Sequence, residues 1–241
     1  MNKIVASAGE ALAGVFDGAV IMCGGFGCVG GMPSMLFRAL SELPVRDLTL
    51  IGNAPVLGLE AQKTAARTMT VPESFIDGSP LLKNRQVRKL IVSVPAMAIY
   101  RLKEPFPIVK ALQEGQDIEI ELVPQGTLAA RIKAAKGGIR AFYTRTGTGT
   151  FLEKGREIRQ FEGQDYLLEH ALKADFGIIR AHKGDRHGNL VYRGTSRTFN
   201  ATIAGAAAVT IAEVDEVVEL GELDPEAVAT PGIYVDRVVK R

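Results

Sequence analysis

Apolar residues along this chain come in short unbroken runs, and the stretches between them carry apolar positions every three or four residues. The runs Ala19–Cys23, Leu48–Gly52, Lys89–Val94 and Ile118–Val123 predict strands covered on both faces. The stretches between them predict helices. Ser7–Phe16 places Leu12, Val15 and Phe16 toward a core with Ser7 as cap, and a second helix covers about Ser34–Leu43. Pro105–Glu114 has Phe106, Val109 and Leu112 on one side and stops at Gly115, while Thr127–Ala135 has Thr127 as cap and ends at Lys136-Gly137-Gly138. This β-α-β alternation predicts an α/β fold with a mostly parallel sheet flanked by helices.

From Arg156 the rhythm changes. Glu157–Phe161, Tyr166–Glu169, Phe176–Ala181 and Leu190–Arg193 read as short strands around the turns Glu162-Gly163 and His187-Gly188-Asn189. A mixed or antiparallel portion is therefore expected in the carboxyl half. Thr202–Ala208 reads as a small-residue helix able to lie close to a sheet, and Val209–Val214 as a closing strand. Between Glu60 and Lys83 the punctuation by Pro72, Gly78 and Pro80 suggests an insertion or lid. With no repeat or linker in sight, residues 1–241 read as a single domain.

Composition narrows the function more than the fold. A chain of 241 residues that is 46% hydrophobic can bury a sizeable core. Its 29 Lys and Arg against 27 Asp and Glu, spread without a basic block, leave no electrostatic footprint for nucleic acid. No apolar run approaches the roughly 20 residues that span a bilayer, and the amino terminus does not resemble a secretory signal. The expectation is a soluble, cytoplasmic protein with no membrane partner. Two cysteines, Cys23 and Cys28, and three histidines, His170, His182 and His187, lack metal-ligand spacing, so no metal is expected.

Candidate chemistry concentrates in glycine-bearing turns that follow strands. Asp17 to Pro33 runs from an apolar strand into five glycines, Gly24, Gly25, Gly27, Gly30 and Gly31, just before a helix. Glycines let backbone N–H groups approach a ligand, and a helix start favours negative charge. An anionic or phosphate-bearing ligand is therefore expected there. Pro124-Gln125-Gly126-Thr127 and Thr146-Gly147-Thr148-Gly149-Thr150 are two further such turns, and together the three suggest a site. Asn53-Ala54-Pro55 follows a strand at the kind of corner where open sheets hold ligands.

Several motifs in one order resemble a known family. Asp17 to Pro33, Val123-Pro124-Gln125-Gly126-Thr127-Leu128-Ala129 with Arg131-Ile132, and Ala174-Asp175-Phe176 through Lys183-Gly184-Asp185-Arg186-His187-Gly188-Asn189 to Phe199-Asn200 are similar to the alpha subunit of family I CoA-transferases. These are of the succinyl-CoA:3-ketoacid and 3-oxoadipate type. The likeness continues through Leu220-Gly221-Glu222-Leu223-Asp224-Pro225 and Thr230-Pro231-Gly232 to the end. It implies the CoA-transferase-type α/β fold, coenzyme A as substrate with no separate cofactor, and a beta subunit in an αβ or α2β2 assembly. In the family a beta-subunit glutamate, in a Ser-Glu-Asn-Gly type context, takes the acyl group and then CoA as a thioester before an acid receives the CoA. No such tetrapeptide exists here, so the resemblance implies no catalytic residue in this chain and no activity without the partner.

The positions matching the family's CoA- and substrate-binding elements are Gly24, Gly25, Phe26, Gly27, Cys28, Val29, Gly30, Asn53, Gln125 and Gly126. Their N–H groups and amides are suited to phosphate, pantetheine or a reacting carbonyl. Gly25→Val is expected to abolish activity of the complex without unfolding the chain, because a Cβ would block the ligand. Departures cluster where an acyl group is chosen. Pro33 comes one place late with Ser34 where glutamate is common, Gly52-Asn53 replaces an Asn-Asn or Asn-Asp pair, and Arg145 replaces a proline. Leu59–Arg85 is longer than usual, and Ser93–Tyr100 lacks the family's polar residues. Other readings stay open for single residues. Asn53 and Gln125 also suit turn capping, the cysteines suit inert thiols, and His182 and His187 suit a solvated hairpin. Arg193 and Arg197 suit an acid substrate, a CoA phosphate, or salt bridges at a surface or subunit interface. Rival functions are a CoA-ester hydrolase or other CoA-ester enzyme on the same scaffold, and a non-enzymatic small-molecule sensor.

Overall fold

The computed structural model describes residues 1–27, 30–65, 71, 72, 74–96 and 104–241. Among these, nine strands form one sheet. β1 (Ile4–Val5), β2 (Val20–Cys23), β3 (Leu48–Gly52), β4 (Val87–Val92), β5 (Glu119–Leu122), β9 (Ala174–Asp185), β11 (Ala207–Val218) and β12 (Arg237–Lys240) lie in the order β1-β12-β11-β9-β2-β3-β4-β5. Every neighbouring pair along that path is parallel. The ninth, β10 (Leu190–Val191), turns back antiparallel on β9. β6 (Ala141–Thr144), β7 (Ile158–Phe161) and β8 (Gln164–His170) make a separate antiparallel sheet in the order β6-β8-β7.

Strand composition follows from cover on both faces. Leu50 packs in one core with α1 (Ala8–Ala11), α2 (Ser34–Glu42), α4 (Ser79–Lys83) and α5 (Pro107–Gln113), through Ala11, Leu36, Phe37, Leu40, Leu82 and Ile108. Its neighbour Ile51 packs on the other face with α6 (Gln125–Lys136) and α7 (Asn200–Ile203), through Leu128, Ile132 and Ile203. Alternate residues point to opposite faces, so with helices on both an unbroken apolar run is needed, and all five residues of β3 are buried. The chain winds outward from β2 to β5 on one side, then returns to place β9 against the other side of β2 and winds outward again. Strand order therefore reverses between β2 and β9. Loops leaving the two carboxyl ends part there and open a crevice.

The expected mixed portion is present as the small sheet and the β9–β10 hairpin, but several boundaries differ. Phe176–Ala181 is the middle of the twelve-residue β9, a central parallel strand rather than a hairpin arm. The first helix, α1, is short; Ser7 Oγ accepts from Glu10 N at 3.1 Å as its cap, and Gly14 at φ +89° follows it. Thr127 is no cap, because the helix begins two residues earlier, with Leu128 N donating to Pro124 O at 2.8 Å. The helix expected over Thr202–Ala208 is instead Asn200–Ile203, since Gly205 at φ +84° breaks it and Ala207 already starts β11. β1, β6 and β12 answer to no strand expected from the pattern. The irregular middle holds α3 (Leu59–Ala65) as well as α4.

Candidate functional site

The glycine run begins where β2 ends. Gly24 N donates to Ile178 O of β9 at 2.8 Å, so the loop leaves the sheet still tied to the neighbouring strand. Phe26 N donates to Gly30 O at 3.2 Å and Gly30 N to Gly27 O at 3.1 Å, closing a tight loop directly before α2. Gly25, Gly27, Gly30 and Gly31 all have positive φ, which L side chains rarely adopt. Their surroundings differ. A Cβ on Gly25 would lie 2.9 Å from Met32 Cα and N, whereas one on Gly30 would meet nothing within 4 Å. Gly25 thus shapes the loop, and Gly30 leaves open space beside it. Expected site residues Cys28 and Val29 lie outside the described residues.

Two further expected residues meet at the carboxyl ends of β3 and β5. Asn53 is 3% exposed, and its Oδ1 accepts Gln125 Nε2 at 3.1 Å, while its carbonyl accepts Val94 N at 2.9 Å and Ser93 N at 3.2 Å. The Asn53 side chain is thereby aimed by three strand ends at once. Gln125 opens α6 beside the exposed Gly126, where a Cβ would meet nothing within 4 Å. Phe26 stacks on Phe199 with ring centroids 6.2 Å apart and planes 22° from parallel. Phe26, Gln125 and Gly126 share a cleft of about 550 Å³ with Phe199, Lys133 and Arg197. Gly27 and Gly30 line another, of about 350 Å³, with Ser34, Arg180, Arg193 and Asp215. The glycine loop thus stands between an amide-and-aromatic cleft and a cationic one.

Two buried residues with no motif to mark them brace this arrangement. Asn200 is fully buried; its Nδ2 donates to Gly31 O at 2.9 Å and Ser196 O at 2.8 Å, and its Oδ1 accepts from Arg180 N at 3.0 Å. One amide therefore pins the glycine loop, β9 and the turn at 194–197. Glu213 on β11 is also fully buried, and its Oε2 accepts from Leu36 N at 3.0 Å in the first turn of α2. Burial raises its carboxyl to about 7 against the Leu36 hydrogen bond and the Arg180 charge, which act the other way. Its signal in the sequence is a lone carboxylate within Val209–Val214. The third glycine cluster takes no part in either cleft: Gly147 and Gly149 shape a turn after β6, where Thr150 Oγ1 donates to Gly147 O at 2.7 Å. The Cys23 thiol is buried, hydrogen-bonded to Ile21 O and raised by desolvation, the state of an inert core thiol. His182 Nδ1 lies 3.4 Å from Asp215 Oδ2, while His187 sits at the β9–β10 turn, so the two histidines form no joint acid–base pair.

Loop, strand-end amides and full-length motif order are matched by known proteins. A family model described as Coenzyme A transferase matches residues 5–241. The chain belongs to the coenzyme A transferase family. It is 45% identical over 239 residues to the A subunit of 3-oxoadipate CoA-transferase from Pseudomonas putida, covering 99% of this chain and 94% of that one. It is 42% identical over 241 residues to the A subunit of succinyl-CoA:3-ketoacid coenzyme A transferase from Xanthomonas campestris pv. campestris, covering 98% and 88%. The solved structure of a variant of the decarboxylase AibA/AibB superposes with a TM-score of 0.74 at 26% identity, over all of this chain and 84% of that one. No helix among the described residues is long and apolar enough to cross a membrane.

Proposed function

We propose that this CoA-transferase chain is the alpha subunit of a heteromeric enzyme that moves CoA from succinyl-CoA or acetyl-CoA to a short carboxylic acid, a 3-oxoacid above all. A glutamate of the beta subunit carries the acyl group and then the CoA thioester. That carboxylate attacks the thioester carbonyl and CoA thiolate leaves; the thiolate then attacks the glutamyl anhydride and releases the acid. The acceptor acid repeats the two steps in reverse, so each bond broken is matched by one formed. This chain supplies the wall of that exchange site. Gly24 to Gly30 bring backbone to the thioester, and Asn53 with Gln125 and Gly126 present amide donors to the oxygen on which negative charge develops. The protein is soluble and cytoplasmic, works as one domain, and forms an αβ or α2β2 assembly with CoA as its substrate and no further cofactor.

The observation that carries this reading is the convergence of the glycine loop with the Asn53–Gln125 hydrogen bond at adjacent carboxyl strand ends, in a chain 45% identical to one of the two kinds of subunit of a named CoA-transferase. The test is a CoA-exchange assay on the complex that co-purifies with this chain, given succinyl-CoA and a panel of acids, or water alone. Transfer to an acid by the complex and none by the isolated chain is expected. Thioester loss to water, or carbon dioxide release from the acyl group without transfer, would instead assign another reaction on this scaffold. A chain with neither partner nor CoA chemistry would leave the sensor.

A further inference from the structure

The cleft on the α2 side of the glycine loop carries an excess of positive charge that exchange of a single carboxyl does not need. Arg180 and His182 project from β9 past its last pairing with β2 at Ile178, Arg193 follows β10, and Arg241 follows β12. Asp215 lies between them. Its Oδ1 is 2.9 Å from Arg180 Nη2 and 3.8 Å from Arg241 Nη1, and its Oδ2 is 3.4 Å from His182 Nδ1. The other carboxylate is Glu213, whose Oε1 is buried without a hydrogen-bond partner among the described residues, 4.0 Å from Arg180 Nε. Its carboxyl is raised to about 7, so near neutrality it is partly protonated and offsets less of the charge of Arg180. Three guanidiniums thus share Asp215 and part of Glu213 in a half-enclosed space.

An apolar acyl tail in such a space would strip water from guanidiniums without replacing it, which is costly, whereas a carboxylate would pair with them. The volume of about 350 Å³ suits a short chain, and the open side of Gly30 joins it to the loop. We infer that this cleft receives the distal carboxylate of a dicarboxylic acyl group, with Arg180 and Arg193 as specificity-determining residues, while the proximal carboxyl is exchanged at the glycine loop. The inference rests on the transferase reading above and deepens it by naming the acid class. Asp215 holds Arg180 in place, and the buried Glu213 is a positioning residue behind it.

The test measures kcat/KM of the complex for two acceptors of equal length, a six-carbon 3-oxo dicarboxylic acid and the corresponding 3-oxo monocarboxylic acid. Arg193 is exposed, so Arg193→Met spares the core, and Arg193→Lys keeps the charge. Wild type is expected to prefer the dicarboxylic acid. Arg193→Met should lower the ratio of the two kcat/KM values by about ten- to hundredfold, mainly through KM, as expected for losing one charged hydrogen bond. Arg193→Lys should recover most of it, and Arg180→Lys should lower it independently. Equal losses for both acids, or a raised KM for the CoA thioester with the ratio unchanged, would reassign the cleft to a CoA phosphate or to a structural role and overturn the inference. Wild-type preference for the monocarboxylic acid would overturn it while leaving the transferase reading intact. A wild-type complex that transfers CoA to no acid at all would overturn both.

Discussion

At the carboxyl edge of the nine-stranded sheet Asn53, Asn200 and Glu213 are polar yet at most 3% exposed, whereas all four residues of β7 in the three-stranded sheet are exposed. The two regions are held by different means. Each buried group at the edge is committed to backbone of another segment, Asn200 to three of them, so losing one strands several partners at once. The small sheet relies on pairs at its surface. Tyr143 and Tyr166 both meet the Phe161 ring edge-on at 5.3 Å, and Arg156 pairs with Glu169. Contacts of that kind are worth about 0.5–1.5 kcal/mol each and fail independently. Structural cost is thus concentrated where the glycine loop must be held open, and the small sheet is tolerant.

The largest test of this contrast is a single methyl group on Gly25. At φ +88°, with Met32 Cα and N 2.9 Å from the new Cβ, Gly25→Ala meets both backbone strain and fixed backbone atoms. A cost of about 3–5 kcal/mol is expected, read as a fall in the urea midpoint of the full chain. Gly25→Val would fare worse, so the expectation that it would silence the enzyme without touching the fold does not hold at this glycine. A stability within about 1 kcal/mol of wild type would show that the loop is not braced by Met32. The position that separates ligand approach from folding is Gly126, where a Cβ meets nothing and φ is not positive.

Glu213 gives a smaller effect with a definite sign. Its folded pKa of about 7 lies above the ordinary value of 4.5, so the folded state binds the proton more tightly than the unfolded chain does. The stability linked to it is fully present below the unfolded pKa, and it is lost as pH rises through the folded one. The window runs from about pH 4.5 to 7, over which the contribution falls by about 3 kcal/mol. Glu213→Gln keeps an acceptor for Leu36 N and removes the titration. Urea midpoints at half-unit intervals should therefore show wild type losing stability relative to the variant across that window and running parallel to it above about pH 8. Parallel curves throughout would mean that Glu213 stays ionised in the folded protein.

The sequence exposes these two regions unequally. Leu48–Gly52 was legible to the residue because a strand covered on both faces has to be apolar throughout. The glycine loop, Asn53 and the Gln125-Gly126 turn were legible because backbone approach and strand-end amides leave a composition signature. The cationic cleft was not, since Arg180, Arg193, Asp215 and Arg241 are scattered through the carboxyl half and meet only because β9 inserts beside β2. Nor was Asn200, whose role depends on three segments distant in the chain. Thr146–Thr150 misled for the opposite reason. Glycines there supply positive φ for a surface turn, and glycine content alone does not separate a turn that faces a ligand from one that faces water.

Gly163 completes the comparison as the small sheet's counterpart to Gly25. It sits at φ +73° after Glu162 at φ 51° in the two-residue turn joining β7 to β8, where Phe161 pairs with Gln164. Both central residues having positive φ is the turn that matches strand twist, so glycine is favoured there for conformation alone. A Cβ on Gly163 would meet nothing within 4 Å. Gly163→Ala therefore bears left-handed strain of about 1–2 kcal/mol, partly offset by about 0.4–1 kcal/mol from a less flexible unfolded chain. The net loss should be about 0.5–1 kcal/mol, with kcat/KM of the complex unchanged, against several times that at Gly25 for the same added methyl group. Equal losses at the two glycines would mean that φ governs both, and the special bracing of the loop by Met32 and Asn200 would have to be abandoned.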